Sequence, residues 1–176
     1  MASSTMPIVL SLLLVLCFPY TMVVVSAGQA PSCYKRLFSL GDSITDTGNL
    51  ARVTPNIPTM AFPYGETFFH RPTGRYCDGR LIVDFIGMGA NFAVASATAL
   101  SLQFFKDMGL DVKKIPPFSL DVQVEWFKRV LHMLGPTEQE RKEIMSNSLF
   151  LLGEIGGNDH NHPFFQNRSF SAESSP

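Results

Sequence analysis

Two short apolar runs, each ended by a glycine, mark the two strands that the sequence predicts. Arg36 to Leu40 stops at Gly41, and Ser148 to Leu152 stops at Gly153. Short apolar runs bounded by a turn residue are typical of buried strands. Because open α/β sheets bind ligands at the carboxyl ends of their strands, the residues just after each run are candidate site residues.

Part of the segment between the two runs has apolar residues at helical spacing. One apolar stripe predicts a helix from about Ser119 to Leu134, and its members are Leu120, Val124, Phe127, Leu131 and Leu134. We interpret Trp126, inside this helix, as a packing residue. A second helix, starting after Thr137 and running to Met145, is predicted by a capping box, in which the Thr hydroxyl and the Glu140 carboxylate satisfy each other's backbone donors.

The rest of the chain is read as loops and short elements. Asn49 to Gly79 is rich in proline, glycine and aromatic residues without a persistent period, which predicts a long ordered loop. Leu81 to Ile86 looks like a short helix, and the small residues from Asn91 to Ala99 allow close backbone approach. The order strand, loop, helices, strand favours a layered α/β domain with a parallel sheet.

The N-terminal apolar block changes the domain boundaries. Ile8 to Tyr20 form an apolar block, Met22 to Val25 follow it, and Ser26-Ala27 comes next as a small-residue site. A membrane anchor and a buried strand are the alternatives, but Pro19 interrupts the block, so we expect a signal peptide at residues 1–27. Its removal would leave residues 28–176 as one secreted domain without a stable membrane anchor.

The charge composition of the chain bears on the class of partner that it can bind. The 176 residues carry 14 basic and 15 acidic side chains, a formal charge of −1, so we expect no nucleic-acid partner. After signal removal the cysteines are Cys33 and Cys77, which form either a disulfide in an oxidising compartment or two unpaired thiols.

Three constellations carry the candidate chemistry: Gly41 to Asn49, Gly89 to Ala97 and Gly153 to Asp159. Each lies at a predicted strand end or a glycine-rich turn. A serine that attacks an acyl group needs an exposed tight turn, a base and donors for the oxyanion. The first constellation offers the turn, and the other two offer donors.

In this order, the three blocks resemble those of the plant GDSL-type esterase/lipase family of the SGNH hydrolases. The resemblance runs from Cys33 almost to Asn167, and the loop segments Pro63 to Phe69 and Arg71 to Arg75 extend it. It implies a three-layer, flavodoxin-like parallel sheet and a carboxylic ester hydrolase that forms an acyl-enzyme without metal or cofactor. It also implies a small-molecule or lipid ester substrate and an extracellular location, in the apoplast or cell wall.

The same resemblance implies roles for three residues. Ser43 is the nucleophile, and the backbone N–H groups of Ser43 and Ser96 and the side-chain amide of Asn158 hold the oxyanion. Ser96 stands where the family has glycine, so its role requires backbone dihedrals that suit an L-residue.

Besides Ser96, the sequence departs from the family pattern in two further places. No Asp-x-x-His, the family's acid and base, follows Asn158, and only Gly87-Met88 separates Ile86 from the second block, which indicates an internal deletion. We therefore expect an incomplete fold, the N-terminal part of the family's domain. The alternative to an active hydrolase is a catalytically inactive, truncated, secreted glycoprotein, with Asn167-Arg168-Ser169 as the glycosylation sequon.

Two histidines follow the third block. Asp159, His160 and His162 raise the alternatives of a replacement base or a metal site, but their spacing is not that of a metal site. The prediction is a solvated loop with no metal.

Overall fold

A computed structural model describes residues 34–54, 56–86 and 89–167. The predicted signal peptide, Cys33, the proposed deletion point at residues 87–88 and the last two residues of the Asn167 sequon lie outside these ranges. In the part of the chain that the structure describes, no helix is both long and apolar enough to cross a membrane.

In the described ranges, three parallel strands form one sheet. β1 (Arg36–Leu40) lies in the centre, with β2 (Gly89–Asn91) on one side and β3 (Ser148–Leu152) on the other. Leu37 is opposite Gly89 in β2 and opposite Leu149 in β3. The two strands predicted from apolar runs are confirmed with their predicted bounds, and so is the parallel sheet.

β2 is a strand that the sequence did not predict. It is three residues long and has no large apolar side chain. A Cβ at Gly89 would collide with the carbonyl oxygen of Leu37, so glycine allows the close pairing with β1. The contact with β1, rather than any local preference, therefore defines this strand.

The sheet is covered on both faces. Helices α4 (Leu120–Leu134) and α5 (Glu138–Ser146) cover one face, where Phe38 packs with Leu131 and Ile144. Leu37 points the other way because side chains alternate along a strand, and it packs against Leu81 and Val83. The predicted layered α/β class is confirmed.

Both predicted long helices are present, but the predicted stripe on α4 needs two corrections. Leu134 is exposed, whereas Gln123 on the same helix is fully buried. The capping box before α5 is confirmed: the Thr137 N–H donates to Glu140 Oε2 at 2.8 Å, and the Glu140 N–H donates to Thr137 Oγ1 at 3.3 Å.

The remaining elements are short. α2 (Val83–Ile86) lies inside the predicted helical segment, and the predicted long loop holds α1 (Asn49–Val53) and a 3₁₀ turn at Pro58–Met60. Two further helices were not predicted, α3 (Leu102–Asp107) and α6 (Gly157–Phe165).

Candidate active site

The Ser43 turn follows β1 directly and is held from below by Gln123. The Gly41 N–H donates to Gln123 Oε1 at 3.0 Å, and Gln123 Nε2 donates back to the Gly41 carbonyl at 2.9 Å. Ser43 is half-buried, and none of the described residues hydrogen bonds to its hydroxyl or its N–H. Both groups are therefore available to a ligand.

A second turn, from Val94 to Ala97, follows β2. The Ala97 N–H donates to the Val94 carbonyl at 3.0 Å, and Ser96, at the third position, has φ 65°. A positive φ at this position is the mark of a type II turn, which favours glycine. Ser96 therefore adopts the left-handed backbone that favours glycine, which an L-residue can adopt at a cost, and it keeps its N–H as a candidate oxyanion donor.

Asp46 clamps this second turn to the first. Its Oδ2 accepts the Ala95 N–H at 2.7 Å, and its two oxygens together accept three N–H groups at the start of α1. The side chain is fully buried. The carboxylate thus replaces the N-cap side chain that Gly48 lacks and fixes the residue next to Ser96.

Asn158 joins the two turns. Its Nδ2 donates to Asp42 Oδ2 and to the Ala97 carbonyl, each at 3.0 Å. Asp42 precedes Ser43, and Ala97 follows Ser96, so the three predicted site residues converge on one place. Both hydrogens of the amide are engaged, and Asn158 must release one of them before it can donate to an oxyanion.

Asp42 and Glu154 form a carboxyl pair beneath this junction. Burial, and then a hydrogen bond with Glu154, raises the pKa of Asp42 to about 7. The pKa of Glu154 is lowered, mainly by the same hydrogen bond. Glu154 Oε1 also accepts the Gly157 N–H at 3.0 Å, next to Asn158. A proton held by Asp42 therefore lets the two acids stay together.

The prediction of a solvated loop around His160 is wrong. These residues form the first turns of α6, and Asp159 is buried there, where its carboxylate accepts the Ala99 and Leu100 N–H groups at 2.8 Å each. This buried carboxylate ties the start of the helix, which lacks apolar periodicity, to the residues that follow the second turn. His162 Nε2 lies 3.1 Å from the Ser96 carbonyl and donates to it.

The described residues supply no group of three or more His, Cys, Asp or Glu side chains that could hold a metal ion. Cys77 is a free thiol whose Sγ donates to the Gly79 carbonyl at 3.1 Å. Cys33 lies outside the described ranges, so a disulfide between these two residues stays a prediction.

Gln123, Asp46 and Glu154 shape the site, and none was predicted to do so. Gln123 had one available signal, because it is a polar residue within a stripe of apolar ones. Asp46 and Glu154 belong to two of the constellations, yet nothing in their spacing reveals that they meet Ala95 and Asp42.

Comparisons with known proteins agree with the resemblance. A family model described as GDSL-like Lipase/Acylhydrolase matches residues 37–175. A GDSL esterase/lipase of Arabidopsis thaliana is 40% identical over 190 residues, which cover 92% of this chain and 50% of that protein. A sinapine esterase of Brassica napus is 43% identical over 197 residues, covering 97% of this chain and 49% of that protein.

The chain spans about half the length of the curated relatives that it matches. The 190-residue alignment uses only 92% of a 176-residue chain, so the Arabidopsis protein has residues without a counterpart here inside the matched region. The deletion at residues 87–88 stays a prediction. No solved structure matches this chain.

Proposed function

This chain belongs to the family of GDSL-like lipases and acylhydrolases, and from that premise we propose that it forms the nucleophile and oxyanion part of a carboxylic ester hydrolase. Ser43 attacks the acyl carbonyl, and an acyl-enzyme forms and is then hydrolysed. The Ser43 and Ser96 N–H groups, with one hydrogen of Asn158, hold the oxyanion.

One observation carries the proposal: the Asn158 amide bridges Asp42 and Ala97, the neighbours of Ser43 and Ser96. Asn158 therefore links the two turns that carry the Ser43 hydroxyl and the Ser43 and Ser96 N–H groups, none of which has a partner among the described residues. Preorganised donors of this kind stabilise the charge that develops on an acyl oxygen.

A second candidate function is a ligand-binding or inactive secreted glycoprotein. It is favoured by the Ser43 hydroxyl, which has no base as a partner among the described residues. A general base contributes roughly 10²–10⁴-fold to such a reaction. We expect the 176-residue chain on its own to turn over esters slowly.

Chemical rescue separates the two functions. The chain and its Ser43→Ala variant are assayed with p-nitrophenyl acetate and with sinapine, with and without added imidazole, and labelled with a fluorophosphonate. Imidazole-stimulated turnover that requires Ser43 supports the hydrolase. Turnover that is unchanged in Ser43→Ala and insensitive to imidazole contradicts it.

Secretion is part of the same proposal. The apolar block that ends at Ser26-Ala27 supports cleavage after Ala27. Expression with the native leader in plant cells, followed by N-terminal sequencing of the medium protein, should give Gly28 as the first residue. A glycosidase-sensitive mass shift that is lost in Asn167→Gln would support the glycosylation, whereas retention of the full precursor inside the cell contradicts secretion.

A further inference from the structure

A cavity of about 230 Å³ lies beside the candidate active site and contains none of its three proposed residues. Its walls come from α1, from the end of β2 with the residues after it, and from α4 with the residues before it. The lining residues are Asn49, Arg52, Val53, Asn91, Phe92, Val94, Phe118 and Trp126. We call it the Trp126 cavity.

The walls of the Trp126 cavity are mainly apolar. Phe118 and Trp126 pack with their ring centroids 5.8 Å apart, and Phe92 and Val94 are buried behind them. Val53, which α1 contributes to the lining, is 58% exposed. An apolar concave surface with an open side favours a ligand that has an apolar body.

The amides of the cavity are already occupied. Asn49 Nδ2 donates to the carbonyls of Asn91 and Ala93 at 2.9 and 2.8 Å. Asn91 Nδ2 donates to the Thr45 carbonyl at 2.7 Å and to Thr47 Oγ1 at 3.2 Å. Neither side chain has a hydrogen left to donate to a ligand.

Two other donors of the cavity are unoccupied. The Arg52 guanidinium and the Trp126 indole N–H have no partner among the described residues. The Arg52 guanidinium is permanently charged, and its planar fork of N–H groups matches the two oxygens of a carboxylate. The cavity therefore combines an apolar wall with Arg52, an exposed residue of its lining whose cation is unpaired.

We propose that the Trp126 cavity binds a small carboxylic acid, with its apolar body between Val53 and the Phe118–Trp126 pair and its carboxylate on Arg52. The volume is below the roughly 300–1,000 Å³ typical of pockets for drug-sized ligands, so a single ring with a short chain fits. The carboxylate is either a free acid or the acid released from an ester. Binding requires neither Ser43 nor hydrolysis.

The site contains its own reporter, because Trp126 is the sole tryptophan of the 176-residue chain. Titration with 3-phenylpropanoate should change the tryptophan fluorescence saturably, with a Kd on the order of 0.1–1 mM for a ligand of this size. The neutral amide, 3-phenylpropanamide, should bind about tenfold more weakly, since it lacks the charge. The methyl ester lacks the free carboxylate. A site for the acid should bind it weakly, whereas a site for the intact ester should bind it as tightly as the acid.

Three variants locate the site. Arg52→Gln should raise the Kd for the acid about tenfold, whereas Arg129→Gln, an exposed arginine on α4, should leave it unchanged. Val53→Phe alters an exposed wall residue, should not disturb the fold, and should weaken binding by filling the mouth. Ser43→Ala should bind as the unchanged chain does, whether or not the proposed hydrolase activity is real.

Two results would overturn the proposal. One is a fluorescence and calorimetric titration without saturable binding of 3-phenylpropanoate. The other is binding of acid, amide and ester with equal affinity in both arginine variants, because that would show an apolar surface without recognition of a carboxylate.

Discussion

Two buried aspartates hold the two sides of the candidate oxyanion site in different ways. Asp46 accepts four backbone N–H groups and fixes the turn that contains Ser96. Asp42 accepts one backbone N–H and the Asn158 amide, and burial and the neighbouring Glu154 raise its pKa to about 7. The backbone donors therefore rest on a clamp, whereas the amide donor rests on a contact that depends on pH.

The comparison predicts that removing the Asp46 clamp lowers the free energy of unfolding more than any other change proposed here. Asp46→Ala leaves four N–H groups without an acceptor in a buried place, and we expect it to lower the free energy of unfolding by about 3–5 kcal/mol. Urea denaturation measures this loss. Asp78→Ala, at an exposed carboxylate, is the matched control, and equal losses in both variants would show that Asp46 is no clamp.

The second prediction concerns the pH dependence of the Asp42 contact. The pKa of Asp42 is raised to about 7, so the folded chain holds a proton that the unfolded chain releases near pH 4. Stability should therefore fall by about 3 kcal/mol as pH rises from about 4 to 7, relative to Asp42→Asn. Urea denaturation of both proteins across this range measures the difference.

Glu154→Gln sharpens the same measurement. It removes the charge that helps to raise the pKa of Asp42, so the fall in stability should move to lower pH. The same dependence of stability on pH in the unchanged chain, Asp42→Asn and Glu154→Gln would show that Asp42 holds no proton beside Glu154.

A third, smaller effect is expected at Gln123, which supports the Ser43 turn from α4. Gln123→Ala leaves the Gly41 N–H unpaired in the interior and leaves the Gly41 carbonyl with the Val94 N–H alone, so it should cost about 2 kcal/mol in the free energy of unfolding. Gln139→Ala, at an exposed position on α5, should cost far less. Thermal denaturation of the pair decides the matter, and equal melting temperatures would contradict the role given to Gln123.

The smallest effect is at Ser96, and it has the opposite sign. Ser96→Gly removes a side chain from the left-handed region, so we expect a gain of about 0.5–1 kcal/mol after the flexibility of glycine is counted. Ala99→Gly lies nearby without a positive φ and should lose stability instead. A loss in both variants would mean that Ser96 is not strained.

The sequence predicted those strands and helices whose bounds are set by residues close by in the chain. β1 and β3 are apolar runs ended by glycine, and α5 begins at a capping box, so their bounds follow from neighbouring residues. β2 and α6 could not be predicted in this way. β2 depends on the close approach of Gly89 to Leu37, and α6 on the burial of Asp159 against Ala99 and Leu100.

The residues of the candidate site also fall into a predicted group and a group that could not be predicted. Ser43, Ser96 and Asn158 were predicted from block order, and the structure brings their neighbourhoods together through one amide. The supports were not predictable, because Gln123 lies 82 residues from Gly41 and Asp46 lies 49 residues from Ala95. Contacts over such separations are decided by packing rather than by spacing.

The central position of β1 also sets a hierarchy of amide hydrogen exchange. Every backbone N–H of a strand that is paired on both sides is protected, whereas a strand paired on one side directs alternate N–H groups away from its neighbour. Within the described residues β3 pairs with β1 alone. Deuterium should therefore enter alternate amides of β3 early and those of β1 last, so the strand that leads into Ser43 is the most durable part of the sheet.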